Sequence, residues 1–442
     1  MKSIVVKIGS SSVTRSTGPD PVVLTSALDA ALNARSLGWN VVLISSGAVS
    51  SGSAYLARTS SVRPSDRLAA AVGQPFLMDI YRSVSEVSGR HVCQILISAG
   101  DLESPPAISS VCAVLSECAQ AGIVPIVNGN DVTDLRGSDN DAVAVGIAVA
   151  SGADKLLLLT DVPGVYDKPQ RDVTHRLSLA ASSIRDIPTA STGTGRGGMR
   201  SKLLAAELAA YNGIETHIAD ARLPDVIRAC VEDRPAGTCI PVAGERFPVD
   251  TRWISGVAMS CGSIVINRAA EESINTGASL FASGIKRVEG NFRGGDVIEI
   301  RDPSGRLVAR GISRVSAALM SLVRAMQTDE IAIVMTEILG KFLQGNVAGK
   351  PGGAAATQEE YRNMRPPVIK ALDIVGRHGY ERTRRLALEL INLFPAATVE
   401  AMFDGRPPDG LKRLRERYGS LSSDLSFVDR RRLVTFHQAA GR

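Results

Sequence analysis

The sequence predicts an α/β protein whose first domain is a mostly parallel sheet sandwiched by helices, and three observations carry that reading. Short apolar runs of strand length recur along residues 1–240, separated by amphipathic stretches of helical spacing. That alternation builds parallel sheets covered on both faces. Aromatics make up only 4% of a chain that is 44% hydrophobic, a balance suited to aliphatic strands and Ala-rich helices. The small, polar and Gly-rich segments follow strands, where such sheets bind their ligands.

Taken in order, Ser3–Lys7 reads as a buried strand leading into the loop Ile8-Gly9-Ser10-Ser11-Ser12. Residues 23–38 have helical spacing, and Asn40–Ile44 is a second strand ending in Ser45-Ser46-Gly47-Ala48. Further strands are predicted at His91–Ile97, Ile123–Val127, Lys155–Leu159 and Glu215–Ile218. The Pro-, Gly- and Val-rich stretch around Pro235–Gly244 reads as a linker. Residues 253–315 then turn to short β-type runs at Ser263–Asn267, Ile285–Glu289, Asp296–Arg301 and Val308–Val315. With Asp302-Pro303-Ser304-Gly305 as a hairpin turn between two of them, a small β-barrel is expected. Residues 345–358 have a hinge composition, and helical spacing at Val368–Val375 and Arg384–Phe394 predicts a helical C-terminal extension. The expected division is 1–240, 250–342 and 359–442.

Composition narrows the function classes. The six cysteines are scattered, with no CxxC pair and no histidine at metal-ligand spacing, so buried thiols in a reducing cytosol are expected and no metal site is assigned. The start, Met1-Lys2-Ser3-Ile4-Val5-Val6-Lys7, is too short an apolar run for a signal peptide, and no stretch approaches membrane-spanning length. A cytoplasmic protein is expected. From Glu359 to Arg442 there are 16 Lys+Arg against 11 Asp+Glu, which accounts for the whole net charge of +5. The basic runs there, Lys412-Arg413-Leu414-Arg415 and Arg430-Arg431-Arg432, read as solvated helix faces.

Four strand-end loops carry the chemistry, although each alone has an ordinary explanation. Lys7 ends a buried strand, where an ammonium is costly unless it meets an anion. The Gly–Ser loop after it offers backbone N–H groups to a phosphate, but no G-x-x-x-x-G-K-[ST] run occurs anywhere in the chain. Ser45-Ser46-Gly47-Ala48 suits a carboxylate or amino group. Asn128-Gly129-Asn130-Asp131 and Ser138-Asp139-Asn140-Asp141 can converge on one cleft. Gly195-Arg196-Gly197-Gly198-Met199-Arg200-Ser201-Lys202 opens onto a helix, presenting N–H groups and a lysine to phosphate.

Together with Ala71-Val72-Gly73-Gln74 and Leu159-Thr160-Asp161-Val162-Pro163-Gly164-Val165-Tyr166, these loops resemble glutamate 5-kinase, of the amino acid kinase superfamily. Residues 253–315 resemble the PUA domain that follows the kinase in many bacterial members. The resemblance covers roughly residues 1–342. It implies ATP with Mg²⁺, and transfer of the γ-phosphoryl group to the γ-carboxylate of L-glutamate. The product would be L-glutamyl 5-phosphate, the first intermediate toward proline. It further implies Lys7 and Lys202 as the catalytic cations held by Asp141, with Ser46, Asn128, Asp131 and Asn140 binding the amino acid. Lys7, Thr160, Asp161 and Arg196, Gly197, Gly198, Met199, Arg200, Ser201 and Lys202 would enclose the nucleotide. A homo-oligomer that hands its labile acyl phosphate to a reductase is part of the same expectation.

The chain departs from that pattern in two places. Gly129 stands where the family usually has glutamate, and the loop Val132–Ser138 is shorter and lacks a lysine, although Arg136 can fork onto a carboxylate. A specialised kinase of a glutamate-like acid is therefore an alternative. An RNA-binding regulator is another, weakened because residues 253–315 carry no dense basic cluster with interleaved aromatics.

Overall fold

The computed structural model describes residues 1–15, 18–59, 64–133, 139–166, 173, 175–177, 198–324, 326 and 427–436. They form two units: Met1–Met259 together with Phe436, and Ser260–Thr435.

The first unit holds a seven-stranded sheet of order β5-β6-β4-β1-β7-β8-β9. Its strands are β1 (Lys2–Ile8), β4 (Trp39–Ile44), β5 (Val92–Ile97), β6 (Val124–Gly129), β7 (Lys155–Thr160), β8 (Glu215–Asp220) and β9 (Thr238–Ile240), while β2 (Thr14–Arg15) and β3 (Gly18–Pro19) make a small separate hairpin. All pairings in the large sheet are parallel except β8 with β9. The six predicted strands are present within a residue or two. Strands β6 and β7 are buried throughout and β1 over its last five residues, as both faces are covered by helices.

The covering helices are α1 (Ser10–Val13), α2 (Pro21–Ser36), α3 (Ala48–Thr59), α4 (Asp66–Val87), α5 (Ala99–Leu102), α6 (Pro105–Ala121), α7 (Asn140–Ser151), α8 (Met199–Tyr211), α9 (Val226–Val231) and α10 (Val249–Arg252). Local chemistry sets their ends. Asp20 caps α2 by accepting from the Val22 N–H at 3.1 Å, with Pro21 in the first turn where its missing donor costs nothing. Asp139 caps α7, which ends at Gly152 in the left-handed region. From Val143 to Val149 α7 is buried on every side, because it packs on β1 and β7 and is itself covered by α8. Strand β1 lies between β4 and β7, so the chain leaves it once in each direction. Crevices at such switch points open at the carboxyl ends of the strands, here at Lys7, Ser45 and Thr160.

Two expectations change. The stretch around Pro235–Gly244 is not a linker, because Thr238–Ile240 pairs with β8 and the Ala243 and Gly244 N–H groups donate to the Ala210 carbonyl at 3.0 and 3.1 Å. Its Pro and Gly mark tight turns around a three-residue strand.

The second unit is a five-stranded sheet of order β11-β10-β12-β13-β14. It comprises β10 (Gly262–Ile266), α11 (Arg268–Asn275), β11 (Ile285–Gly290), β12 (Val297–Arg301), β13 (Leu307–Ser313), α12 (Ala317–Val323) and β14 (Val428–Thr435). The four predicted strands are there, and Gly305 closes the expected turn by donating to the Asp302 carbonyl at 3.0 Å. The other change lies in β14. Most of the extension expected to be helical lies outside the described residues, but Val428–Thr435 is a strand antiparallel to β13. Phe427 and Val428 enter the core of this unit beside Phe292, Ile300 and Met320. Arg430 and Arg432 are exposed, so they are solvated as expected, but on a strand. No described helix is long and apolar enough to cross a membrane.

Candidate active site

Lys7 leaves β1 with its side chain buried, and its Nζ lies 2.6 Å from Asp141 Oδ1. Asp141 stands in the first turn of α7 and is 1% exposed. Its other oxygen, Oδ2, accepts from Lys202 Nζ at 3.2 Å and from the Ser201 hydroxyl at 2.7 Å, both in the first turn of α8. Three elements thus bring two buried ammonium groups onto one buried carboxylate. Burial by itself would push the Asp141 carboxyl up, but Lys7 and Lys202 outweigh it and hold it below the ordinary aspartate range. Burial lowers Lys202, and Lys7 lowers it further, so it stays below the ordinary lysine range despite Asp141. The cluster carries one positive charge more than it neutralises. Buried charge of that kind is stable where a further anion completes it.

The other wall is made of amides and hydroxyls. Asn140, one residue before Asp141, donates through Nδ2 to the Ser45 carbonyl at 3.1 Å, to Ser46 Oγ at 2.9 Å and to Asn128 Oδ1 at 3.2 Å. Asn128 Oδ1 also accepts from the Gly129 N–H at 2.9 Å, and Asn128 Nδ2 donates to Gln74 Oε1 at 2.9 Å. Ser45 Oγ is 2.9 Å from the fully buried Tyr81 hydroxyl, whose pKa burial pushes well above the usual tyrosine range. The serine loop is set by backbone contact between α3 and α4. A Cβ on Gly52 would stand 1.8 Å from the Ala69 carbonyl oxygen, and one on Gly73 1.9 Å from that of Ala48. Only glycine fits either place, and this is the structural reason for the Ser45–Ala48 and Ala71–Gln74 motifs.

The structure therefore brings Lys7, Asp141, Ser201 and Lys202 into one cluster, and Ser46, Asn128 and Asn140 into a second joined to it at Asn140–Asp141. Asp131 sits half-buried in the turn after β6. Thr160 ends β7 with its hydroxyl 3.2 Å from Asp161 Oδ1. Gly198 caps α8, followed by Met199 and the exposed Arg200. Arg196, Gly197 and Arg136 lie outside the described residues. Sequence reasoning missed Arg222, which donates to the Asp161 carbonyl at 2.8 Å and pairs with Asp220 Oδ2 at 2.7 Å, tying the end of β7 to that of β8. It also left Gln74 without a role.

The ligand atoms of Glu215, His217 and Cys239 lie within 4.8 Å of one another, a juxtaposition created by β8–β9 pairing that no spacing signals. Lys155 Nζ sits 2.8 Å from Glu215 there, so a cation would meet an ammonium already in place.

A cationic pair beside a neutral, donor-rich wall suits transfer of a phosphoryl group to a small polar acceptor. Two ammonium groups fixed in this way can neutralise charge developing on a phosphoryl group, and amides fixed in this way can orient an acceptor. Comparison with known proteins agrees. The amino acid kinase family matches residues 2–220, and the PUA domain matches residues 262–335. The glutamate 5-kinase of Klebsiella pneumoniae (strain 342) is 34% identical over 311 residues, covering 68% of this chain and 84% of that protein. That of Photobacterium profundum is 33% identical over 354 residues, covering 76% and 92%. That of Myxococcus xanthus is 32% identical over 346 residues, with the same coverages of 76% and 92%.

Proposed function

Because this chain belongs to the glutamate 5-kinase family, we propose that it transfers the γ-phosphoryl group of ATP to the γ-carboxylate of L-glutamate, giving L-glutamyl 5-phosphate on the way to proline. It is a phosphotransferase with a carboxyl acceptor, and it uses ATP. The observation that carries the site assignment is the Lys7–Asp141–Lys202 cluster, two buried cations fixed at 2.6 and 3.2 Å by one carboxylate.

In this reading Lys7 and Lys202 neutralise charge as it spreads over the transferring group, and Asp141 fixes both ammonium groups before substrate arrives. Ser201 holds Asp141 Oδ2 from the α8 side. The acceptor carboxylate is ionised at neutral pH, so no residue need act as a base. Ser46, Asn128, Asp131 and Asn140 orient the amino acid, while Thr160, Asp161 and the first turn of α8 lie on the nucleotide side. Mg²⁺ would add charge neutralisation on the phosphates. Both Asp141 oxygens are already engaged, which fits an ion held mainly by phosphate and water. The labile product calls for a reductase close by. Six cysteines that form no disulfide suit a reducing cytoplasm, and a homo-oligomer is part of the same proposal. The readings as a kinase of another acid or as an RNA-binding regulator are not favoured.

The test is ATP consumption with hydroxylamine trapping across glutamate, aspartate and related acids. Formation of a hydroxamate from glutamate in preference to the others is expected. Turnover without any hydroxamate would overturn the carboxyl acceptor.

A further inference from the structure

The motif residue left without a role is Gln74, and the amide network around it fixes which way its side chain faces. Asn140 points one atom at three acceptors, the Ser45 carbonyl, Ser46 Oγ and Asn128 Oδ1, so that atom is its amide nitrogen. Asn128 receives that donor and the Gly129 N–H on one atom, which is therefore its oxygen. Its nitrogen then faces Gln74, and Gln74 must answer with Oε1, at 2.9 Å. What is left is Gln74 Nε2. It carries two N–H donors, it is buried, and it has no hydrogen-bond partner among the described residues. Buried amide donors without a partner are rare in folded chains, and each calls for an explanation.

We infer that Gln74 is a substrate-binding residue whose Nε2 amide donates to the carboxylate of the amino acid that is not phosphorylated, the α-carboxylate of glutamate. The inference rests on the glutamate reading above. The relay Asn140–Asn128–Gln74 starts one residue from Asp141, which holds the two phosphate-facing lysines, and Gln74 stands at its far end. An acceptor whose γ-carboxylate meets the phosphoryl group at Lys7 and Lys202 extends its other carboxylate away from them. The unpartnered amide would be the donor for that end. The Gly52–Gly73 contact holds α4 against α3, so Gln74 is presented from a fixed helix next to the Ser45–Ala48 loop.

The deciding variant is Gln74→Glu in the full-length protein. It keeps an oxygen to accept from Asn128 but replaces the N–H donors with a second carboxylate oxygen. Because burying that charge can also cost stability, the deciding readout is a comparison between two acceptors within each protein. The KM for glutamate should rise about 10- to 100-fold, with the KM for ATP within about twofold of wild type. The second measurement is the preference for glutamate over 4-aminobutyrate, which lacks the α-carboxylate. That ratio is internal to each protein, so it does not depend on the fraction folded, and it should shrink about tenfold or more in the variant. An unchanged glutamate KM, or an equal loss for both acids, overturns the inference and leaves Gln74 as a packing partner of Asn128. If wild type itself transfers nothing to glutamate, the parent reading fails first.

Discussion

Replacing Asp141 with asparagine tests the centre of the site with almost no change in volume. The carboxylate is 1% exposed and holds Lys7 at 2.6 Å and Lys202 at 3.2 Å. At an effective dielectric constant near 20, each pair attracts by roughly 5–6 kcal/mol before desolvation is counted. Desolvation takes back a large part, and removing one member of a buried ion pair costs about 3–5 kcal/mol in practice. In the variant the two ammonium groups face each other across a neutral amide. Lys202, already lowered by burial and by Lys7, gives up its proton more readily still. Catalysis then loses a fixed cation, and kcat/KM should fall about 10²- to 10³-fold. The alkaline limb of the pH profile should also move to lower pH. Thermal stability should drop and be partly restored by ATP, whose phosphates supply the missing negative charge and stabilise the folded state by mass action. The assay is ADP release from pH 6 to 10, paired with thermal melts with and without ATP. A variant within about threefold of wild-type kcat/KM, melting as wild type does, would refute the assignment of Asp141 as the anchor of both lysines.

Gly73→Ala forces a Cβ to within 1.9 Å of the Ala48 carbonyl oxygen, so α3 and α4 must part. A loss of at least about 1–3 kcal/mol is expected in denaturant unfolding, together with a raised glutamate KM. Asn140→Ala removes the donor shared by Ser45, Ser46 and Asn128, and should raise the glutamate KM roughly tenfold or more while sparing that for ATP. Val428→Asp places a carboxylate where the side chain is 0% exposed. It should unfold the second unit, seen as new cleavage sites in limited proteolysis, and leave the first unit resistant. Burial pushes Glu215 up, but Lys155 and His217 outweigh it and hold the carboxyl below its ordinary range. A lowered carboxyl contributes stability above its unfolded pKa and loses it as pH falls through the folded one. Glu215→Gln should therefore melt lower at pH 7 and show a shallower decline below about pH 4.3 in a melt-versus-pH series.

The sheet of the first unit was legible because its central strands are buried on both faces, so Ile4-Val5-Val6 and Leu156-Leu157-Leu158-Leu159 read as continuous apolar runs. Lys7 stood out by interrupting such a run at a strand end. The convergence of Lys7, Asp141 and Lys202 was not legible from spacing, since they are far apart in sequence, and it entered through family resemblance. The amide relay was hidden for a different reason. The orientation of Gln74 follows only from Asn128 and Asn140, and a glutamine in an Ala-rich helix carries no local signal. Strand β9 was missed because three residues between Pro and Gly leave no period to read. Strand β14 was missed because Arg430-Arg431-Arg432 breaks its apolar alternation and its partner lies far upstream.

That last separation bears on how the protein is made. During synthesis β13 emerges with one edge unpaired, and it keeps that edge until Val428–Thr435 has been translated. At ordinary elongation rates of about 5–20 residues per second the wait is roughly 6–24 s. For that interval the nascent second unit exposes both an open strand edge and the core surface that Phe427 and Val428 later cover, the combination that recruits chaperones or invites pairing between neighbouring chains on a polysome. A ribosome that stops short of residue 428 leaves the Lys7–Asp141–Lys202 cluster already translated, joined to a second unit that lacks its β14 strand.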